Sequence, residues 1–473
     1  MDVLMVAAEL GPHARATAAA DSIAALAKAI RQLGHTVTVA LPRTNGFQNA
    51  GLLLARRLSP LTIEPGLEVT VLDGQLASGV AIVLFDAPGL ETERGVFGAP
   101  GSAEAEADGA RYALFARAAA AYARERKEQG RPVDVVHLHD WPAAPVAALL
   151  AGDAAAPPTV LTVHGLAEER TFEPARLAGL GALVEDARAR LGSRVSPLRL
   201  GIGAARALTT VSAGYAEALS KGPLSALLAA QREPLSGVLE GVDYAIFNPA
   251  TDSAIESRFD AEDLSNKGRC KTALLRAAGL RVDLERPLLV ALLSGVDAAG
   301  CSQLLRALPR LLDQDVAIVV AGAAEPELQR ELEQLKQDSP DDLGVSLKSE
   351  DVELRRWLAA ADFALTIRAH APSAPLELAA QRYGALPIAA ASGGTSDAVI
   401  DIDAELETGT GFLYQLETPD GLVGAVERAL SAYGDARFVS LQRRVMRRDL
   451  GWDRPARRYV QLYRKALGEA GPG

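Results

Sequence analysis

Two cysteines, Cys270 and Cys301, are all that 473 residues contain. Two isolated thiols build neither a disulfide framework nor a cysteine-based zinc site, so a reducing, cytoplasmic compartment is expected. Positive charge is also short. Lys and Arg total 49 against 60 Asp and Glu, a net charge of −11. A broad nucleic-acid or acidic-membrane surface needs clustered Lys and Arg, and this balance argues against both. No apolar run reaches the roughly 18 residues that a spanning helix needs. The opening MDVLMVAAELGPHA lacks the basic start of a signal peptide and carries Asp2 and Glu9, so no leader is expected.

What is present is alternation. Short apolar runs, Val3–Ala8, Thr36–Leu41, Val133–Leu138, Thr159–Val163 and Ala207–Val211, read as strands. Helical patterns, Asp21–Leu33, Ala143–Ala151 and Gly214–Leu219, separate or follow them. Strand, helix, glycine (Gly34), strand is the βαβ unit of a parallel sheet. The pattern pauses over Leu239–Ser265, rich in turn formers, and restarts with strands Leu288–Leu293, Val316–Ala321, Gly344–Lys348, Phe363–Thr366 and Leu386–Ala390. Helices Ser302–Leu312, Glu353–Ala360 and Ala374–Tyr383 are expected between them. The fold class is therefore α/β, with two doubly wound Rossmann-like domains facing a central cleft. The expected limits are 1–240, 241–454 and a C-terminal helix in 455–473 packed back on the first domain. Tyr383 and Trp452 read as core residues rather than sugar platforms.

Specific residues go further. Glu9, Pro12, Asp21 and Leu33-Gly34-His35 are followed in order by DVVHLHDW (134–141), TVHGL (162–166), TTVSAGY (209–215), Gly241–Asp243 and FNPATD (247–252). RYGALPI (382–388), GGTSD (393–397), Gly409–Phe412 and WDRPARRYVQLY (452–463) complete the series. Together they resemble the bacterial glycogen synthase and plant starch synthase family over essentially the whole chain. That resemblance implies the GT-B fold, with an acceptor-side first domain and a donor-side second domain. It implies a nucleotide sugar, ADP-glucose or UDP-glucose, as donor and an α-1,4-glucan as acceptor. Transfer would retain the anomeric configuration, with no metal and no cofactor.

Glucosyl transfer needs positive groups or N–H donors for the diphosphate, and a carboxylate or other acceptor near the sugar. Against the family pattern, three loops depart. The first-domain Lys-Thr-Gly-Gly becomes Arg15-Ala16-Thr17-Ala18, which keeps a charge but adds Cβ atoms. Arg15 reads equally as a donor contact or as an exposed loop residue. The loop that carries a phosphate-binding Arg and Lys in the family reads LSGVDAAG (293–300), so the cations fall on Ser294 and Ala299 and Asp297 makes the loop acidic. The family's Glu-Pro-Cys-Gly falls on Ala371-Pro372-Ser373-Ala374, so Ala371 replaces the carboxylate. Glu377 lies six residues on, about 240° round a helix, and points elsewhere.

Other candidates survive. The resemblance puts His164 beside the donor sugar, although a His satisfied by backbone would look the same. Gly393-Gly394-Thr395 opens a helix whose amides suit a phosphate or sugar hydroxyls, or is a plain turn. His137 and His139 share one strand face with Asp140 and Trp141 nearby, yet the resemblance makes them structural. A catalytically impaired paralogue, binding glucan and serving an active enzyme of glycogen metabolism, is the reading these departures favour. An active transferase with a rearranged donor site, or with another nucleotide sugar, is the alternative.

Overall fold

A computed structural model describes residues 1–48, 50–90, 95–167, 169–191, 193–348, 351–369, 371–416 and 420–469. The chain divides into two compact units. One is Met1–Val238 together with Trp452–Gly473, and the other is Leu239–Gly451.

The first unit is built on one sheet. Its strands are β1 (Asp2–Val6), β2 (Thr36–Pro42), β3 (Leu54–Arg56), β4 (Leu61–Glu64), β5 (Leu67–Gln75), β6 (Ala81–Asp86), β7 (Val135–His139), β8 (Thr159–Val163), β9 (Ala207–Thr210) and β10 (Ser236–Gly237). The order is β10-β9-β8-β7-β1-β2-β6-β5-β3, with β4 paired to β5. From β10 to β6 all pairs are parallel, while β3 and β4 flank β5 antiparallel. Parallel strands covered on both faces are apolar throughout, as VVHLH and TVLTV nearly are. The antiparallel hairpins turn at Gly66 and Gly79, both left-handed at φ +86° and +79°. The expected single helix over Ala143–Ala151 is two short ones, Asp140–Ala143 and Pro145–Leu150, because Pro145 restarts the helix at its first turn.

The last helix, Asp453–Leu467, buries Ala456, Tyr459, Leu462 and Tyr463 in this unit's core. It is also fastened by polar groups. Tyr463 Oη lies 2.7 Å from His137 Nδ1, His137 Nε2 lies 2.7 Å from Thr162 Oγ1, and that oxygen lies 2.5 Å from Thr209 Oγ1. Burial holds the Tyr463 phenol protonated and drives the His137 imidazole down to about 3, so the ring is neutral. With Tyr463 donating to Nδ1 and Nε2–H donating to Thr162, both ring nitrogens of His137 are used.

The second unit has six parallel strands, β11 (Leu288–Leu292), β12 (Ala317–Ala321), β13 (Leu343–Ser346), β14 (Phe363–Thr366), β15 (Leu386–Ala390) and β16 (Phe412–Tyr414), in the order β13-β12-β11-β14-β15-β16. The order reverses between β11 and β14, which is where ligands bind in such sheets, at the carboxyl ends. The helix Lys267–Ala278 buries two lysines one turn apart. Lys267 Nζ donates to the carbonyls of Leu358, Ala359 and Tyr383, the ends of two helices, and burial lowers its pKa to about 8. Lys271 Nζ donates to Asp362 Oδ2 at 2.8 Å and to the carbonyls of Leu284 and Arg286. Tyr383 is fully buried and donates to Asp252, and Trp452 is buried too, so both are core residues.

Two outcomes are expected. Removing one partner of a buried pair strands the other charge, at a cost of about 3–5 kcal/mol. Lys271→Ala should lower the unfolding free energy of the second unit by that amount in urea titration. For His137 the folded pKa lies below the ordinary 6.5, so the unfolded chain binds more protons between pH 6.5 and 3. Stability is then full above 6.5 and falls with acidification, at up to about 1.4 kcal/mol per pH unit for each such histidine. His139, also depressed by burial, adds to the slope. His137→Gln should flatten the loss of melting temperature between pH 7 and 4 relative to wild type.

Candidate functional site

In the first unit the loops after β1, β7 and β8 meet. Glu9, just past β1, is buried, and burial raises its pKa against three hydrogen bonds. Its carboxylate accepts from the amides of Ala16 and Thr17 at 2.8 Å each and from Thr17 Oγ1 at 2.5 Å. Arg15 is exposed and donates through Nε and Nη2 to Asp21. The loop after β1 is thus closed on Glu9 and on Asp21 of the following helix. Asp140 adopts φ +55°, unusual for a residue with a Cβ. That turn aims its Oδ1 at the His164 amide, 2.7 Å away.

His164 is half-buried, and its Nε2 lies 3.1 Å from His139 Nδ1. His139 Nε2 is buried without a hydrogen-bond partner among the described residues. An orphaned lone pair costs less than an orphaned N–H, so the His139 proton belongs on Nδ1, where it donates to His164. His164 then carries its own proton on Nδ1. Both ring nitrogens of His137 are engaged by Tyr463 and Thr162, so neither is open to a metal. No group of three or more His, Cys, Asp or Glu able to hold a metal occurs among the described residues.

In the second unit the loops after β11, β14 and β15 meet at the switch point. The helix expected from Ser302 starts earlier, over Ala298–Leu312, because Asp297 caps it. Asp297 Oδ1 accepts from the Gly300 amide at 2.8 Å. Ser294 and Ala299 are exposed, and Ala299 sits in the first helical turn rather than in a loop. The carboxylate of Asp297 holds an amide that a phosphate would otherwise use.

Ala371 is buried, and its carbonyl accepts from the Gly394 amide at 2.8 Å. A Cβ on Gly393 would lie 2.3 Å from that same carbonyl oxygen, and Gly393 has φ +47°, so glycine is required there. The Thr395 amide donates to the Ser392 carbonyl. Two of the amides expected to face a ligand are therefore spent inside the turn. Ser392 Oγ is buried with no hydrogen-bond partner among the described residues.

Glu377 is 1 % exposed, on the inner side of the helix Pro375–Arg382. It is held by Thr366 Oγ1 at 2.6 Å and by Arg368 Nη2, at 2.8 and 2.7 Å from its two oxygens. This ion pair is absent from the sequence reading. A cavity of about 430 Å³ opens elsewhere, at the amino ends of β8 and β9, lined by Pro157, Thr159, Arg206, Arg232 and Leu467 among others. It lies at the opposite end of the strands from these loops, and the carboxyl-end rule outranks its size.

Comparison with known proteins agrees with this framework. The family model described as the starch synthase catalytic domain matches residues 2–230. A glycogen synthase of Burkholderia thailandensis is 33% identical, with 97% of this chain and 90% of that protein covered. One from Rhodopseudomonas palustris is 32% identical, over 99% of this chain and 98% of that protein. Among solved structures, the catalytic domain of starch synthase IV from Arabidopsis thaliana, bound to ADP and acarbose, superposes with a TM-score of 0.86 at 27% identity, covering 99% of each chain. Sucrose-phosphate synthase from Thermosynechococcus elongatus, at 16% identity, TM-score 0.61 and 99% of each chain, shares the fold. Two units built on largely parallel sheets, the switch-point loops and these relatives lead to one conclusion: the chain belongs to the glycogen/starch synthase family of GT-B glycosyltransferases.

Proposed function

We propose that this chain is a glucan-binding member of the family whose glucosyl transfer is strongly impaired, and that it acts beside an active enzyme of glycogen metabolism. One observation carries the reading. Ser294 after β11, Ala299 in the first turn of the next helix and Ala371 after β14 stand where the resemblance puts two cations and a carboxylate, and Asp297 caps that helix. A leaving diphosphate gains rate from positive groups that meet charge as it develops. Neither an exposed serine nor an alanine supplies any.

The solved relative carries ADP and acarbose, an oligosaccharide analogue. By likeness, the donor nucleotide belongs to the second unit and the glucan to the first, where more of the family's residues persist. His164, on the loop after β8, is the candidate sugar contact in the first unit, and Gly393, Gly394 and Thr395 are weaker candidates in the second. Arg15, paired with Asp21, contributes least. A second reading, an active transferase with a rearranged donor site, is favoured by one feature, the side-chain stem of Arg368 beside Gly295.

Affinity electrophoresis should show retardation in gels containing glycogen. Tight nucleotide-sugar binding without retardation would reverse the proposed order of the two ligands.

Single-turnover transfer from ADP-glucose should be near background. Restoring Ser294→Arg, Ala299→Lys and Ala371→Glu together should raise it, and each alone should do little because such groups act as a unit. The first two sites are exposed and accept the change; the third is buried, so a melting curve accompanies the assay. A wild-type turnover in the usual range of about 1–10³ per second would overturn the impaired reading.

A further inference from the structure

Arg368 follows β14 by two residues, at the carboxyl end of the strand beside β11. Its side chain is 13% exposed. One nitrogen, Nη2, reaches both oxygens of Glu377. That leaves Nε and Nη1 unused by Glu377, and Nε is buried with no hydrogen-bond partner among the described residues. A buried N–H without an acceptor is costly, and its presence at a functional edge calls for an explanation.

The stem of Arg368 runs along the loop between β11 and its helix. A Cβ built on Gly295 would lie 3.4 Å from Arg368 Cδ, and Gly295 itself has φ +70°. The positive φ favours glycine there, and the 3.4 Å places the Arg368 stem in van der Waals reach of this loop. The loop in question is the one whose own cations are replaced by Ser294 and Ala299. A positive group is thus delivered to the same strand edge from the neighbouring loop.

We propose that Arg368, oriented by Glu377, is the residue this chain uses to meet the phosphate groups of a nucleoside diphosphate at the carboxyl ends of β11 and β14. The assignment rests on the donor-side reading above, and it names a binding residue rather than a catalytic one. Glu377 is the positioning residue. Its carboxylate fixes the fork of the guanidinium and cancels most of its charge, so affinity is held low. An arginine fork anchored on one nitrogen keeps its remaining N–H edge for a second acceptor.

The test is calorimetric titration of the full-length chain with ADP, and with adenosine as the phosphate-free probe. Wild type should bind ADP weakly, and more weakly as salt rises. Arg368→Met with Glu377→Gln replaces the pair by neutral groups of similar size, which buried pairs tolerate. It should lose about tenfold or more in ADP affinity, the loss of one charge-assisted contact, with adenosine unchanged. Glu377→Gln alone keeps one acceptor oxygen for Thr366 and Arg368, loses the other and frees the charge, so ADP affinity should rise. A melting curve accompanies each variant, and should one fail to fold, Arg368→Lys, which keeps a cation beside Glu377 but not the planar guanidinium fork, takes its place with a fall in ADP affinity expected. Unchanged ADP affinity in the folded double variant, no gain in Glu377→Gln, or no ADP binding by either wild type or Glu377→Gln overturns the assignment. Glycogen retardation is independent of these arms. Its failure with the ADP arms intact removes the glucan reading and leaves Arg368 in place; the reverse result removes Arg368 and leaves the glucan reading.

Discussion

A carboxylate 1% exposed has to find a cation or a set of donors inside the protein, and in the second unit Glu377 finds both. Thr366 belongs to β14, Arg368 to the segment after it, and Glu377 to the following helix, so one buried pair fixes the whole turn between them. Neighbouring loops lean on that turn. A Cβ on Gly300 would strike the Ile367 carbonyl at 2.5 Å, and one on Gly394 the Pro372 carbonyl at 2.7 Å. The ends of β11, β14 and β15 are therefore one packed body whose shape follows from where Glu377 sits. Substituting either partner alone would leave a buried charge, at a cost of about 3–5 kcal/mol.

The same device recurs. Glu9 takes the amides of Ala16 and Thr17, Asp297 takes the amide of Gly300, and Asp21 takes Arg15. Each is an internal carboxylate set on a donor that, at a strand's carboxyl end, would otherwise be offered to an anionic ligand. On the reading proposed above, a diphosphate at these loops would have to displace a carboxylate already bonded, rather than fill an open cradle. This gives the missing cations a structural counterpart. The segment read as lacking its cations, residues 293–300, also supplies its own negative charge in Asp297.

How much of this the sequence reveals depends on period. Thr159–Val163, Phe363–Thr366 and Leu386–Ala390 have the same limits in sequence and structure, because strands buried on both faces write themselves as apolar runs. The antiparallel segment from Leu54 to Asp86 escapes that rule. LEVTVLDGQ alternates, and the turn glycines Gly66 and Gly79 were its signal. The long helix Ala103–Glu128 shows only as alanine enrichment, since alanine blurs any contrast between faces. Asp297 reads in sequence as unwanted charge, whereas its place before Ala298-Ala299-Gly300 makes it a helix cap. The Arg368–Glu377 pair is not legible at all. Its partners sit nine residues apart across a loop–helix junction, and no periodicity links them.

Binding and rate respond to different parts of this arrangement. On the proposal above, Arg368, whose charge Glu377 largely cancels, offers a diphosphate a contact but little of the added stabilisation that charge growing during bond breaking needs. Rate also needs a group near the anomeric carbon, and the position the family gives that role holds a buried alanine whose carbonyl is bonded to Gly394. Glu377 is no substitute, since both of its oxygens are engaged from inside. A site of this construction can therefore retain a nucleotide without turning it over. On the impaired reading proposed above, selection for recognition without selection for transfer would account for the scaffold kept beside Ser294, Ala299 and Ala371 at positions where the resemblance puts cations and a carboxylate.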